Sequence, residues 1–396
     1  MKITEYSWLG CQLAVLLLSP ISSPAWAAPA GKLVGWGNNA TGQTNVPVGN
    51  DFVAISVGEF HCLALRSDGS LAGWGSNFGD PDLLSGDIFY GQAVVPAGNN
   101  FKAIAAGGFH SIALRTDGSL VGWGSNEVLG HDGTPSGQAV VPDGNDFVAI
   151  AAAAGGFHSV ALRADGSLVA WGNNDYGQTD VPSGNDFVAI ASGDFHGLAL
   201  KSDGSIIAWG EDNVGQVSNV PSGNDFVALA AGWGQSLVIR SNGTMAGWGW
   251  NINAQATPQP GTNFVAVAAG WRHSLALKAD GSIVGWGWNY GLDATAGTYF
   301  GQAVAPPGTN FVAIAAGDRF SLAIQVQRSV LSIARVGSNI VLSWPFDDSG
   351  YTLEANTNLS SSLNWSKVPG APTVVDNKYT VTNTIANGNT FYRLKK

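Results

Sequence analysis

One triplet governs this sequence. Gly/Ala-Trp-Gly recurs in phase seven times in 396 residues, with its tryptophan at Trp36, Trp74, Trp123, Trp171, Trp209, Trp248 and Trp286. A second marker, Phe-(Val/Lys)-Ala-(Ile/Leu/Val), recurs as often, from Phe52, Phe101, Phe147, Phe187, Phe226, Phe264 and Phe311. Self-similarity at a fixed period signals an array whose units cannot bury their faces alone. One full unit, residues 187–221, reads FVAIASGDFHGLALKSDGSIIAWGEDNVGQVSNVP. FVAIA and HGLAL are short apolar runs, strands A and B. Asp203-Gly204 makes a tight hairpin turn. SIIAWG is strand C, and Gly-Gln-x-x-x-Val-Pro reads as a weaker strand D, its proline suited to a strand end. The turn returns at Asp68, Asp117, Asp165 and Asp280, with Asn242-Gly243 in a sixth unit. One carboxylate per turn serves the turn and falls short of the spaced set that calcium needs.

Four short antiparallel strands per unit of about 40 residues describe propeller blades. The expected fold is all-β: a seven-bladed β-propeller over residues 31–326. Composition agrees. With 54 glycines, helices are disfavoured, and 45% hydrophobic content is enough for a core. The ends of the array are out of phase. Residues 32–37, KLVGWG, form a C strand with no A or B before it. Residues 311–324 supply A and B with no C after them. The N-terminal strands therefore complete the seventh blade, and closure leaves no free sheet edge.

Units of the type AAGGFHSIALRTDGSLVGWGSN, residues 105–126, resemble the regulator-of-chromosome-condensation repeat. The short, regular blades, as in WGNNDYGQTDVPSGNDFVAI at residues 171–190, look most like those of the secreted bacterial beta-lactamase inhibitor protein II branch. The resemblance implies a seven-bladed propeller without a cofactor that acts by protein–protein contact. Nuclear members act on a small GTPase and chromatin. A net charge of -10 argues against that role here, because a phosphate backbone calls for a basic face.

The two ends carry other signals. Lys2 precedes the apolar run Leu13 to Leu18, and Ala25-Trp26-Ala27 gives a signal-peptidase pattern. Residues 1–27 read as a signal peptide cleaved near Ala27, which places the mature chain outside the cytoplasm: secreted, periplasmic or at the cell surface. Cleavage would leave Cys62 as the sole cysteine, without a disulfide. No later segment is long and apolar enough for a transmembrane helix. Past Ile324 the period breaks. Alternating runs at residues 340–344, 351–355, 378–384 and 391–394 suggest a small β-sandwich over 330–396, similar in outline to fibronectin type III-like modules.

Strand parity assigns loops to faces. A–B turns and C–D loops share one face; the uniform Asp-Gly turns and the D–A links share the other. Three C–D loops are longer than the rest, after Trp74, Trp123 and Trp286. They carry Phe78, Asp82, Phe89 and Tyr90; Glu127 and His131; Tyr290, Asp293, Tyr299 and Phe300. The A–B turns add Phe60, Phe109, Phe157, Phe195, Trp233, Trp271, Arg272 and Arg319. Aromatics and arginine are the types enriched in binding hot spots, and one-sided insertions often mark the binding face of an array. The candidate binding set is Phe60, Phe109, Phe157, Phe195, Trp233, Trp271, Arg272, Arg319, Phe89, Tyr90, Tyr290, Tyr299 and Phe300. Packing over the blade ends would account equally for the recurring phenylalanines.

His61, His110, His158, His196 and His273 recur in phase with the blades. They radiate round a ring rather than converge, which suits structural hydrogen bonding and not a metal centre. No nucleophile elbow, HExxH or phosphate loop is present. Asp82, Asp87, Asp194 and Asp318 belong to the same face, but nothing in the sequence brings them together. The expectation is a non-enzymatic, cofactor-free scaffold for an extracellular or cell-surface protein, including the class of extracellular hydrolase inhibitors. The alternative is a carbohydrate-binding or glycan-active propeller, since the same aromatics stack on sugars.

Overall fold

The computed structural model describes residues 30–79, 88–126, 135–290, 298–326, 331–345, 352–356, 365–375, 378–384 and 390–395. Residues 1–27, read above as a signal peptide, lie outside the described residues. Every regular element among them is a strand, and they fall into two units, 1–326 and 327–396.

Seven three-stranded antiparallel sheets make the first unit. Blade 1 holds Phe52–Val57, His61–Arg66 and Leu71–Gly75; blade 2 holds Phe101–Ala106, His110–Arg115 and Leu120–Gly124; blade 3 holds Phe147–Ala152, His158–Arg163 and Leu168–Gly172. Blade 4 holds Phe187–Ser192, His196–Lys201 and Ile206–Gly210; blade 5 holds Phe226–Ala231, Gln235–Arg240 and Met245–Gly249; blade 6 holds Phe264–Ala269, His273–Lys278 and Ile283–Gly287. Blade 7 joins Phe311–Ala316 and Phe320–Gln325 to Lys32–Gly37 from the opposite end of the repeat array. The register of that closure runs from Lys32↔Gln325 to Gly37↔Phe320. The A strands of successive blades touch all the way round, blade 7 to blade 1 included. The ring is closed, with A innermost.

The fourth strand is not formed. The segments that follow strand C, GQVSNVP at residues 215–221 and its counterparts such as GQTDVP at 177–182, run as turns. The cause is a side-chain clamp. Asn174 Oδ1 accepts the Thr179 N–H at 2.9 Å, and Asn39, Asn77, Asn126, Asp212, Asn251 and Asn289 make the equivalent bond in the other blades. Such local side-chain bonds offer the backbone an alternative to a sheet ladder. The segment still lies flat on strand C, so closely that a Cβ on Gly73 would fall 2.2 Å from the Ala93 carbonyl oxygen.

The core sits between blades rather than within them. Phe52, Ile55 and Cys62 of blade 1 form one buried cluster with Leu33, Phe320, Leu322 and Ile324 of blade 7. The other six clusters each unite two neighbouring blades in the same way. Polar bonds follow the same rule. The Trp74 indole N–H donates to the Gln43 carbonyl of blade 7 at 2.8 Å. All seven triplet tryptophans donate to the corresponding glutamine carbonyl of the preceding blade.

In the second unit, Ser332–Val336, Asn339–Pro345, Lys378–Thr384 and Thr373–Val375 form one antiparallel sheet. Ser366–Lys367, Thr352–Asn356 and Phe391–Lys395 form another. Leu342, Trp344 and Val381 of the first share a buried cluster with Leu353 of the second.

Candidate binding face

The shared face is fixed by backbone bonds. The first residue after strand C donates its N–H to the A–B turn of its own blade. Ser76 bonds the Phe60 carbonyl at 2.8 Å, Glu211 bonds Phe195 at 2.9 Å, and Trp250 bonds Gly234 at 2.8 Å. The same bond occurs in the remaining blades. C–D segments and A–B turns therefore lie on one face, as strand parity requires. At its centre the turn glycines approach one another. A Cβ on Gly58 would meet the Gly107 carbonyl oxygen at 2.4 Å, and one on Gly270 would meet that of Gly317 at 2.3 Å.

The opposite face satisfies itself. Asp68 Oδ1 accepts both the N–H and the hydroxyl of Ser70, and its carboxyl is held below the usual range, first by the Ser70 hydroxyl. The strand B arginines stack on the marker phenylalanines, Arg66 lying 4.5 Å from the Phe52 ring centroid and 2.7 Å from Asp51 Oδ1. Its groups are paired with one another.

The candidate residues separate into packed and open sets. Phe60, Phe109 and Phe157 stack in sequence, with centroids 6.0 Å apart at both steps, and Tyr90 lies against Phe109. Phe60 and Phe109 are buried, at 7% and 9% exposure, so their part is chiefly to cap the blade ends. Arg272 lies 3.9 Å and Arg319 5.5 Å from the Trp271 ring centroid. Arg319 Nε sits 3.0 Å from Asp318 Oδ2. Tyr90, Phe157, Phe195, Trp233, Trp271, Arg272, Phe300 and Arg319 are half-buried. Phe89, Tyr290 and Tyr299 are open, at 61%, 42% and 56%. They occur at the necks of the first and third insertions, where Phe78 bridges Phe89 and Tyr290 bridges Tyr299. Asp82, Asp87, Glu127, His131 and Asp293 lie outside the described residues.

Two features escape a reading by motif. Blade 3 carries two extra residues before its Gly-Gly-Phe-His, and its Gly155 N–H reaches Asp194 Oδ1 at 3.1 Å. Burial pushes the Asp194 carboxyl up to about 7, the Gly155 bond opposes this, and Asp318 adds to it. The second feature is a cavity of about 290 Å³ between blades 4 and 5. Tyr176, Phe195, Trp233 and Trp250 line it together with Glu211, Asn213 and Gln216. Only Phe195 and Trp233 stand out in the A–B turns. The signal for Glu211 and Trp250 is the residue following Trp-Gly: Asn38, Ser76, Ser125 and Asn173 in four units, then Glu211, Trp250 and Trp288.

The five histidines are structural. Each is buried, and each Nε2 lies 2.8 or 2.9 Å from a serine hydroxyl of the next blade: Ser111, Ser159, Ser192, Ser236 and Ser321. Burial lowers their pKa values to about 3, or about 4 for His196. Among the described residues no cluster of three or more His, Cys, Asp or Glu is disposed to hold a metal ion.

Fold and face together define a closed propeller built from one repeated unit, with its sequence variation concentrated on one side. The units at residues 52–79, 101–128, 148–178, 187–216 and 264–291 match the Regulator of chromosome condensation (RCC1) repeat, so the propeller is built from repeats of that family. Among solved structures it is similar to Prp20p of Saccharomyces cerevisiae, with 19% identity over 76% of this chain and 92% of that one, at a TM-score of 0.59. Human WBSCR16 gives 16% identity over 75% and 99%, at 0.58. The ectodomain of the Physcomitrella patens receptor kinase CR4 gives 20% over 72% and 77%, at 0.52. Identities at this level speak to the fold. No curated protein matches the sequence.

Proposed function

We propose that the chain is an exported, non-catalytic scaffold that binds a protein through the A–B/C–D face, with extracellular hydrolases the partner class to test first. The observation that carries this reading is the asymmetry of the two faces. One face spends its charges and rings on internal pairs. The other presents Phe89, Tyr290 and Tyr299 to solvent at the necks of insertions. Support for export comes from the residue 13–27 pattern. Support for protein binding comes from the Prp20p structure, described with its binding properties to Gsp1p and histones. The likeness to secreted inhibitors rests on the sequence alone.

The test is capture from the native extracellular medium by the immobilised full chain. Replacing Phe89, Tyr290 and Tyr299 together by Ala should lower recovery of a specific partner at least about tenfold, the scale of a hot-spot cluster. The melting temperature should move by no more than about 2 °C, because exposed rings carry little of the fold. Capture that survives the triple change would reject this face. A glycan array run in parallel decides the sugar-binding alternative, which needs a hit that the triple variant loses.

A further inference from the structure

We infer that the cavity between blades 4 and 5 is a receptor for an alkylammonium group, and that its occupant is a lysine side chain of the protein partner. The inference rests on the binding-face reading above. Its grounds are the lining residues. Tyr176 and Phe195 meet at 70° with centroids 5.3 Å apart, and Trp233 and Trp250 meet at 79° with centroids 4.9 Å apart. Two perpendicular pairs thus wall one small space. The single charged group in that wall is the Glu211 carboxylate, and no basic residue lines it. A cation within about 6 Å of such rings is drawn to their negative faces, most strongly when water is excluded. A nearby carboxylate adds a full charge to that attraction.

The polar groups select against a neutral ligand. Asn213 Nδ2 donates to Glu211 Oε1 at 2.8 Å, and Gln216 Nε2 donates to Oε2 at 3.2 Å. These amides hold the carboxylate in place and are thereby occupied. Gln216 Oε1 and Asn213 Oδ1 accept in turn from the Val214 N–H and from Gln216 Nε2, and the Trp250 indole N–H is a buried donor without a partner, so a sugar, which requires several donors and acceptors, is offered few. A carboxylate has about four acceptor positions, so two bonds leave Glu211 able to accept from an ammonium. Size agrees. About 290 Å³ lies at the low end of ligand cavities, roughly 300–1,000 Å³, which suits one side chain better than an oligosaccharide. The chain's net charge of -10 favours approach by a basic partner.

The test follows the indole N–H resonances of Trp233 and Trp250 in the full chain, assigned by W233F and W250F, during titration with Nα-acetyl-lysine methylamide. Saturable shifts are expected. The neutral norleucine analogue should bind at least about tenfold more weakly, the weight of a desolvated cation–π and ion pair. Glu211→Gln should cost a similar factor. Lowering the pH through the raised pKa of Glu211, whose cause is partial burial, should weaken binding in the unaltered chain as well. The absence of shifts, equal binding of the norleucine analogue, or indifference to both Glu211→Gln and pH overturns the receptor. Tetramethylammonium binding tenfold more tightly than the lysine analogue overturns the assigned occupant. The Phe89/Tyr290/Tyr299 triple variant should keep the lysine shifts while losing partner capture. Failure of the face and failure of the cavity are thereby separated.

Discussion

At the scale of single residues, the ring shows matched exceptions. Ser111 and Ser321 each donate to a glutamine carbonyl of the preceding blade at 2.9 Å, so each accepts from the histidine that faces it. For Ser111 and Ser321 that donor is His61 or His273, which fixes the Nε2–H tautomer and leaves Nδ1 bare. Where Phe320 replaces the histidine, Cys62 replaces the serine facing it in the next blade. Where Gly197 replaces the serine, Trp209 fills the space and Ser192 meets His158 instead. These histidines are neutral when folded and protonate near pH 6.5 when unfolded. The unfolded state therefore binds more protons between about pH 6.5 and about pH 3–4. Stability is complete above that window and is lost as pH falls through it, at about 1.4 kcal/mol per pH unit for each histidine. Urea midpoints should drop sharply from pH 7 to pH 5. Asp194 runs the other way, since its folded pKa is raised: its contribution is fully present below about pH 3.8 and is lost as pH rises through about 7, above which its cost is complete. Asp194→Asn should raise stability on the order of 3 kcal/mol at pH 8 and clearly less at pH 5. A third exception is Ala254, at φ 61°, where the other six blades place a glycine. Ala254→Gly should stabilise by about 1 kcal/mol in equilibrium unfolding, the cost of a Cβ in left-handed backbone.

At the scale of elements, the insertions are excisable. The clamp from Asn77 Oδ1 to the Ala93 N–H, 2.8 Å, is the same bond that the short blade makes from Asn174 to Thr179. In sequence, residues 79–89 fall between the two partners of that bond. Deleting residues 79–89 brings the spacing from Asn77 to Gln92 to that from Asn174 to Gln178. The shortened chain should unfold within about 1 kcal/mol of the original, as changes away from the core do, while losing partner capture. A larger loss would mean that the insertion supports the blade. The same bond explains what the sequence did and did not disclose. Strands A, B and C were legible because their apolar runs and Asp-Gly turns describe the structure they form. Strand D was not, because valine and proline look like a strand while the asparagine five or more residues earlier curls the segment away from the ladder. The face was legible from parity and loop length. The cavity was not, because Tyr176, Glu211 and Trp250 come from C–D segments of three blades and meet only after folding. The deviation of Glu211 and Trp250 shows when the seven units are laid side by side at the position after Trp-Gly.

At the scale of the molecule, each interface is local and the ring as a whole depends on one non-local pairing. Six blades are continuous in sequence; the seventh takes Lys32–Gly37 from the far end. That strand buries Leu33 in the cluster between blades 7 and 1, and the Trp36 indole reaches back to the Gln302 carbonyl at 2.9 Å. A chain begun at Asn38 would lose both contacts and leave the outer edge of Phe320–Gln325 unpaired. Burying a residue such as Leu33 is worth about 1.5–3 kcal/mol, and half-buried Val34 and Trp36 add to it. A loss of more than about 3 kcal/mol is therefore expected on urea unfolding. The exposed edge should also drive association, visible as concentration-dependent sedimentation, because an open strand templates pairing with another chain. A peptide spanning residues 30–45, added in trans, should pair with that edge and reverse both effects. Since every blade leans on its neighbours rather than on a core of its own, the damage should spread beyond blade 7. Amide exchange should rise in blades 1 and 6 before it rises in blades 3 and 4. A truncated chain that stays monomeric with an unchanged midpoint would mean that the ring does not need its clasp.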